Sequence, residues 1–257
     1  MANSMQVGVI MFQEACRTIS ESVYGIKGVT PIGGSQANVS TGTGFMIAPE
    51  LLVTAAHVIH FECNPTKPIH QKFDVIRAPD IGQKTEPALF VGEDITKDLA
   101  LLRVANPRSI QSIVLEPNVL NVGTSCGSLG FPLSFIDKQG LFHLDLRFQG
   151  AFISSFNKFL EFYEIDSLMY SGSSGCPVFT VDSRVFGLQN RSITSQPSSA
   201  MLPAPQSRQQ RRQQIRQKQK LQAKSAQPQR QTDRFAISLC VPSTHIIAFA
   251  RANGVNI

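Results

Sequence analysis

Gly42-Thr43-Gly44-Phe45-Met46-Ile47-Ala48-Pro49-Glu50-Leu51-Leu52-Val53-Thr54-Ala55-Ala56-His57 is the stretch from which the fold is read. Two short apolar runs, Phe45-Met46-Ile47-Ala48 and Leu51-Leu52-Val53-Thr54, flank Pro49-Glu50, so the stretch reads as a hairpin that ends on small residues and a histidine. Outward from it the same rhythm continues. Short apolar segments bounded by Gly, Pro, Asn and Asp recur at 73–77, 88–91, 99–104, 112–115, 125–130, 146–156, 160–165, 178–181, 185–189 and 235–241. Many short strands without alternating long helices predict an all-β chain, built as barrels or a sandwich rather than a parallel sheet. Helices are expected only near the ends, over 11–22 and 243–252, the second with Pro242 before a hydroxyl cap and Gly254 after its last turn.

The chain has 257 residues, 42% of them hydrophobic, enough to bury a sizeable core in one large domain or two small ones. Its longest unbroken apolar run, Ile246 to Ala250, falls far short of the roughly 18 residues of a membrane span, so no membrane segment is expected. Met1 to Gln6 carries no Lys or Arg ahead of the apolar patch at 7–12, which makes a poor signal peptide. Cys16, Cys63, Cys126, Cys176 and Cys240 are odd in number, widely spread and form no Cys-x-x-Cys pair. They read as free thiols in a reducing compartment, and the chain is expected in the cytoplasm.

The formal net charge of +6 is unevenly placed. Between 192 and 233 stand Arg208, Arg211, Arg212, Arg216, Lys218, Lys220, Lys224 and Arg230 against the single acid Asp233, a local balance of +7 that leaves the rest of the chain near −1. The body of the protein is therefore not basic, and a nucleic-acid partner is expected only through this segment. With four prolines, eleven glutamines from Gln206 to Gln231 and few large apolar residues, the segment reads as a flexible insertion, with a basic helix possible over 207–224.

Three segments carry complementary chemistry. Thr54-Ala55-Ala56-His57 presents an imidazole, Asp98-Leu99-Ala100-Leu101-Leu102 places an acid at the head of an apolar strand, and Gly172-Ser173-Ser174-Gly175-Cys176-Pro177-Val178 is a tight turn displaying a hydroxyl. A serine hydroxyl is a weak nucleophile, needing a base within hydrogen-bond reach, and an imidazole base needs an acid to fix its tautomer. His57, Asp98 and Ser174 supply that set. Glycines in the turn allow the amides of Gly172 and Ser174 to converge on one point, as a developing oxyanion requires.

These segments, in this order, resemble the trypsin-like, chymotrypsin-fold serine peptidases, and most nearly those of the bacterial HtrA/Deg type without a PDZ domain. The resemblance extends over Ile165 to Ser174, Val185-Phe186-Gly187-Leu188-Gln189 and Phe235-Ala236-Ile237 with its following helix, and covers roughly residues 35 to 252 apart from the insertion. It implies two Greek-key antiparallel β-barrels, the first over 30–106 after an N-terminal extension over 1–29, then a linker over 107–118 and a second barrel over 119–257. His57 and Asp98 would come from the first and Ser174 from the second. The reaction implied is hydrolysis of protein or peptide substrates through an acyl-enzyme on Ser174, without a cofactor. By the same resemblance, Leu168, Met169, Tyr170, Gly187, Leu188 and Gln189 would wall the primary substrate pocket. No carboxylate stands among them to pair with a cation, so cleavage is expected after small or medium apolar residues rather than after Lys or Arg.

Some residues depart from the family's pattern or compete for these roles. Ser173 stands where digestive relatives carry the acid that pairs with a new N-terminus, so activation by that route is not expected. Val58 follows the histidine where secreted relatives carry a disulfide cysteine. Cys176 stands where the family usually has Gly or Ser and reads as packing beside the nucleophile. Asp94 is the rival to Asp98, and Asp166 reads as a structural hydrogen-bonding acid. His57, His60, Cys63 and His70 form a spacing that could bind zinc, but a helical turn after the histidine would produce the same intervals, and no metal is expected. The competing function is a catalytically silent scaffold that keeps the fold and recruits nucleic acid or acidic proteins through its insertion.

Overall fold

The computed structural model describes residues 12–34, 36–80, 85–107, 112–136, 142–193 and 237–257. In the first half its strands are β1 (Val23–Gly33), β2 (Gln36–Ala48), β3 (Leu51–Ala55), β4 (Lys72–Arg77), β5 (Glu86–Asp94) and β6 (Leu99–Val104). The second half has β7 (Ser125–Gly130), β8 (Phe135–Ile136), β9 (Phe142–His143), β10 (Arg147–Asn157), β11 (Phe162–Asp166), β12 (Pro177–Phe179), β13 (Val185–Ile193) and β14 (Ile237–Pro242). Helix α1 covers 12–20 and α2 is Ser243–Ala252. No helix among the described residues is long and apolar enough to cross a membrane.

The strands close into two six-stranded antiparallel barrels, as the resemblance implies. The first runs β1-β2-β3-β6-β5-β4, the second β7-β10-β11-β14-β13-β12, and β8–β9 is a small separate ribbon. The quoted hairpin forms as read, with Gly44 opposite Thr54 and Phe45 opposite Val53. All five residues of β3 are buried, because β2 and β6 pair with both its edges and the core closes over it. The second barrel holds a cluster of its own around Cys126, Ile153, Tyr163, Ile165, Val178, Phe186 and Cys240. Each large side chain removed from water in this way contributes about 1.5–3 kcal/mol.

The first barrel starts earlier than residue 30. β1 begins at Val23 and pairs along its length with β2 and, from Tyr24 to Val29, with β4. Gly25 and Gly28 interrupt its apolar pattern, yet neither marks a turn. A Cβ on Gly25 would come 2.9 Å from the Leu144 side chain, and one on Gly28 would come 2.6 Å from the His70 ring, so both positions are close approaches. The expected strand at 112–115 reduces to one bridge between Leu115 and Val185, while the Ile113 amide donates to the Met46 carbonyl at 2.9 Å. The linker is thus a strap bonded to both barrels. At the start of α2 the Ser243 hydroxyl does not cap the helix but donates to the Glu116 carbonyl. Beyond Ile193 the insertion at 192–233, with its possible helix over 207–224, lies outside the described residues, as does the chain before residue 12.

Candidate active site

His57 follows directly on β3, in a single tight turn (Ala56–Ile59) whose other residues are buried. Ala55 and Ala56 have no exposed surface, and their small size lets the chain turn against the head of β6. Asp98 sits at that head with φ of +54°, a left-handed conformation that a short polar side chain tolerates better than most. Three hydrogen bonds tie Asp98 to the His57 turn, two of them from His57 itself. The Ala56 amide donates to the Asp98 carbonyl at 3.0 Å, the His57 amide to Asp98 Oδ1 at 2.8 Å, and His57 Nδ1 to Asp98 Oδ2 at 2.8 Å. A carboxylate only accepts, so this last bond places the ring proton on Nδ1 and leaves Nε2 with its lone pair. Asp94, the rival acid, is spent elsewhere: its Oδ1 accepts the Lys97 amide at 3.0 Å and shapes the turn leading to Asp98.

Ser174 lies in the connection between β11 and β12. Gly172 and Gly175 on either side have φ of +91° and +89°, where an L side chain is strained, and a Cβ on Gly172 would collide with the Phe131 carbonyl. Within the turn, the Ser173 amide donates to Tyr170 at 3.0 Å, the Gly175 amide to Gln189 at 2.7 Å and the Cys176 amide to Ser173 at 3.0 Å. The amides of Gly172 and Ser174 have no acceptor among the described residues. The Ser174 hydroxyl donates to the Asn190 carbonyl at 3.3 Å.

His57, Asp98 and Ser174 share one open cleft of about 470 Å³. Of the residues named for the pocket wall, Met169 and Tyr170 line this cleft, and Leu168 is exposed outside it. Gly187, Leu188 and Gln189 do not line it. Leu188 is fully buried, Gln189 Nε2 donates to Ser238 Oγ at 3.1 Å inside the second barrel, and a Cβ on Gly187 would collide with the Cys240 sulfur. A bulge in β13 between Gln189 and Arg191 shifts the register, so the first residues of this strand to reach the cleft are Asn190 and Arg191. Ile95 and Cys63 also line it; Ile95, Asn190 and Arg191 carry no sequence signal of their own, and Cys63 stands out only for its spacing from the histidines.

The other histidines turn to separate partners. His60 lies between the Lys67 carbonyl (2.6 Å from Nδ1) and Glu93 Oε2 (2.7 Å from Nε2), while His70 Nδ1 meets the Thr30 hydroxyl at 3.2 Å. Among the described residues no three His, Cys, Asp or Glu side chains converge where a metal ion could sit. Cys176 fills the space over Gly130, and burial pushes its thiol up to about 12, far from a reactive thiolate. Asp166 is exposed at the end of β11 and has no side-chain partner among the described residues, so the structural hydrogen bond expected of it is not made.

A family model for the trypsin-like peptidase domain matches residues 42–188. A probable periplasmic serine endoprotease, DegP-like, of Halomonas elongata is 25% identical over 170 residues, which cover 63% of this chain and 31% of that protein. The chain thus spans about a third of the length of this curated relative. The crystal structure of a protease from M. tuberculosis in its active form matches with a TM-score of 0.62 at 16% identity, over 96% of this chain and 87% of the other, which is a likeness of fold. The matched stretch takes up more than half of the chain and contains His57, Asp98 and Ser174, and the chain belongs to the trypsin-like peptidase domain family.

Proposed function

We propose that this chain is a serine endopeptidase that hydrolyses peptide bonds through an acyl-enzyme on Ser174. The observation that carries the reading is the His57–Asp98 pair at 2.8 Å, which leaves His57 Nε2 as the basic nitrogen of the cleft that also holds Ser174. Ser174 Oγ attacks the scissile carbonyl carbon while its proton passes to His57 Nε2. The resulting oxyanion accepts from the amides of Gly172 and Ser174. Collapse expels the amine, which takes the proton from His57, and a water molecule then repeats the sequence to release the acid. Asp98 keeps the ring in the required tautomer and faces the imidazolium that forms. The 3.3 Å bond from Ser174 to Asn190 is long, and rotation about one side-chain torsion gives it up. The scheme calls for no cofactor.

Substrates of this enzyme are proteins or peptides cleaved after small or medium apolar residues. Met169 and Tyr170 offer largely apolar wall, Asp98 is already engaged with His57, and Arg191 adds a cation that opposes a Lys or Arg side chain nearby. The five free thiols favour a reducing setting, the cytoplasm.

Labelling with a fluorophosphonate probe tests the assignment. Wild-type protein should label and Ser174→Ala should not, with cleavage of apolar-site peptides following the same pattern. Absence of labelling in folded wild-type protein under every condition tried would instead support the silent scaffold.

A further inference from the structure

Thr43 belongs to β2 of the first barrel, yet its amide and hydroxyl serve the second. Its residue is fully buried. The Thr43 amide donates to the Ser174 carbonyl at 2.9 Å, and its hydroxyl donates to the Gly172 carbonyl at 2.8 Å while accepting from the Phe131 amide at 3.1 Å. The Thr43 carbonyl accepts from the Thr54 hydroxyl at 2.6 Å, so Thr43 is itself held by the neighbouring strand. Its carbonyl also presses on the nucleophile turn, where a Cβ at position 175 would collide with it.

These bonds bear on the two amides that have no acceptor. A trans peptide unit is planar, so fixing its carbonyl aims its N–H to the opposite side. The unit ending in the Gly172 amide is fixed by the Leu133 amide on the Ser171 carbonyl at 2.5 Å, and the unit ending in the Ser174 amide by the Cys176 amide on the Ser173 carbonyl at 3.0 Å. The units that follow Gly172 and Ser174 are the ones Thr43 grips. Each residue thereby has a fixed peptide plane before and after it, and its N–H has one direction left.

We propose that Thr43 is a positioning residue, which holds the free amides of Gly172 and Ser174 on a common point across the seam between the barrels. The kinetic consequence rests on the peptidase reading, whereas the ordering of the turn does not. Valine in place of Thr43 keeps the volume but leaves the Gly172 carbonyl and the Phe131 amide without their partner. Serine keeps the hydroxyl and loses only a methyl group.

The test compares full-length wild type, Thr43→Val and Thr43→Ser in peptide turnover and in hydrogen exchange of the hydrogen-bonded amides of Ser173, Gly175 and Cys176. Thr43→Val should lower kcat on the order of 10- to 100-fold with KM within about twofold, the signature of lost transition-state donors, and should speed exchange in the turn. Thr43→Ser should stay near wild type in both. Should the valine variant not fold, Thr43→Cys, with a weaker donor, is expected to give a smaller loss in the same direction. Wild-type kcat and wild-type exchange in Thr43→Val, or an equal loss in Thr43→Ser, overturn the proposal. Inactive wild type would sink the peptidase reading alone, and exchange would still decide the role of Thr43: faster exchange in Thr43→Val but not Thr43→Ser supports it, and unchanged exchange refutes it.

Discussion

The two barrels have the same strand order, and their connections can be compared one for one. The link from third to fourth strand carries His57 in the first barrel, between β3 and β4, and Ser174 in the second, between β11 and β12. The link from fifth to sixth strand differs sharply. In the first barrel it is the tight turn that presents Asp98; in the second it joins β13 to β14 and contains all eight cations of the basic insertion. One acid is enough to orient one imidazole, so only one of these two equivalent connections has its length constrained. The other is free to lengthen, and a long loop costs little, since closure entropy grows only logarithmically.

The comparison is broken most directly at its two matched connections. Ser174→Ala and His57→Ala should each reduce kcat by about 10⁶-fold, and the double variant should be no worse, because members of such a unit are not additive. Losses that multiply would mean that the two residues act separately. At the unmatched connection, Asp98→Asn should cost about 10⁴-fold by stabilising the wrong tautomer, while Asp94→Asn, whose side-chain oxygen still accepts the Lys97 amide, should cost a few-fold at most. The opposite ranking in steady-state rates would transfer the role to Asp94.

A smaller effect concerns His70, at the end of the His57-bearing connection. Burial lowers its pKa below the ordinary 6.5, and its Nε2 has no hydrogen-bond partner among the described residues. The native state therefore prefers the neutral ring. Its contribution to stability is intact above pH 6.5 and is lost as the pH falls toward the depressed native value, where the unfolded chain takes up the proton first. His70→Gln should flatten the acid limb of unfolding free energy measured from pH 8 to 5, and an unchanged limb would show that other groups set it. Smallest of all, replacing Ser207 to Gln231 by a short Gly/Ser linker should slow hydrolysis of acidic peptides at low salt and spare neutral ones. Equal rates for both substrates at every ionic strength would leave the insertion no steering role.

Much of this architecture is legible in the sequence where one signal dominates. The Phe45–Thr54 hairpin, the acid heading β6 and the glycine-flanked serine are each written in contiguous residues, and β6 matches its apolar run from Leu99 to Val104. β1 is hidden because Gly25 and Gly28, which read as breakers, are required by side chains from Leu144 and His70 far along the chain. The cleft wall is displaced for a different reason. Val185 to Asn190 are buried without alternation, so nothing in their hydropathy reveals the bulge that withdraws Leu188 and Gln189 and delivers Asn190 and Arg191. Thr43 is equally silent: its partners, Gly172 and Ser174, are distant in sequence, and an isolated threonine in a strand carries no sign of them.

The pairing of Ile193 with Ile237 closes the stem from which the insertion departs. Below that pair β14 remains hydrogen-bonded to β13 on one side and to β11 on the other, and its chain continues into α2. A backbone cut anywhere in between would thus sever the polypeptide without releasing its C-terminal piece, since two ladders and a docked helix still hold it. Nicked molecules would run as two bands after denaturation and as one species in native gels, and a foreign peptide could be spliced into the same span, with the barrel serving as its mount.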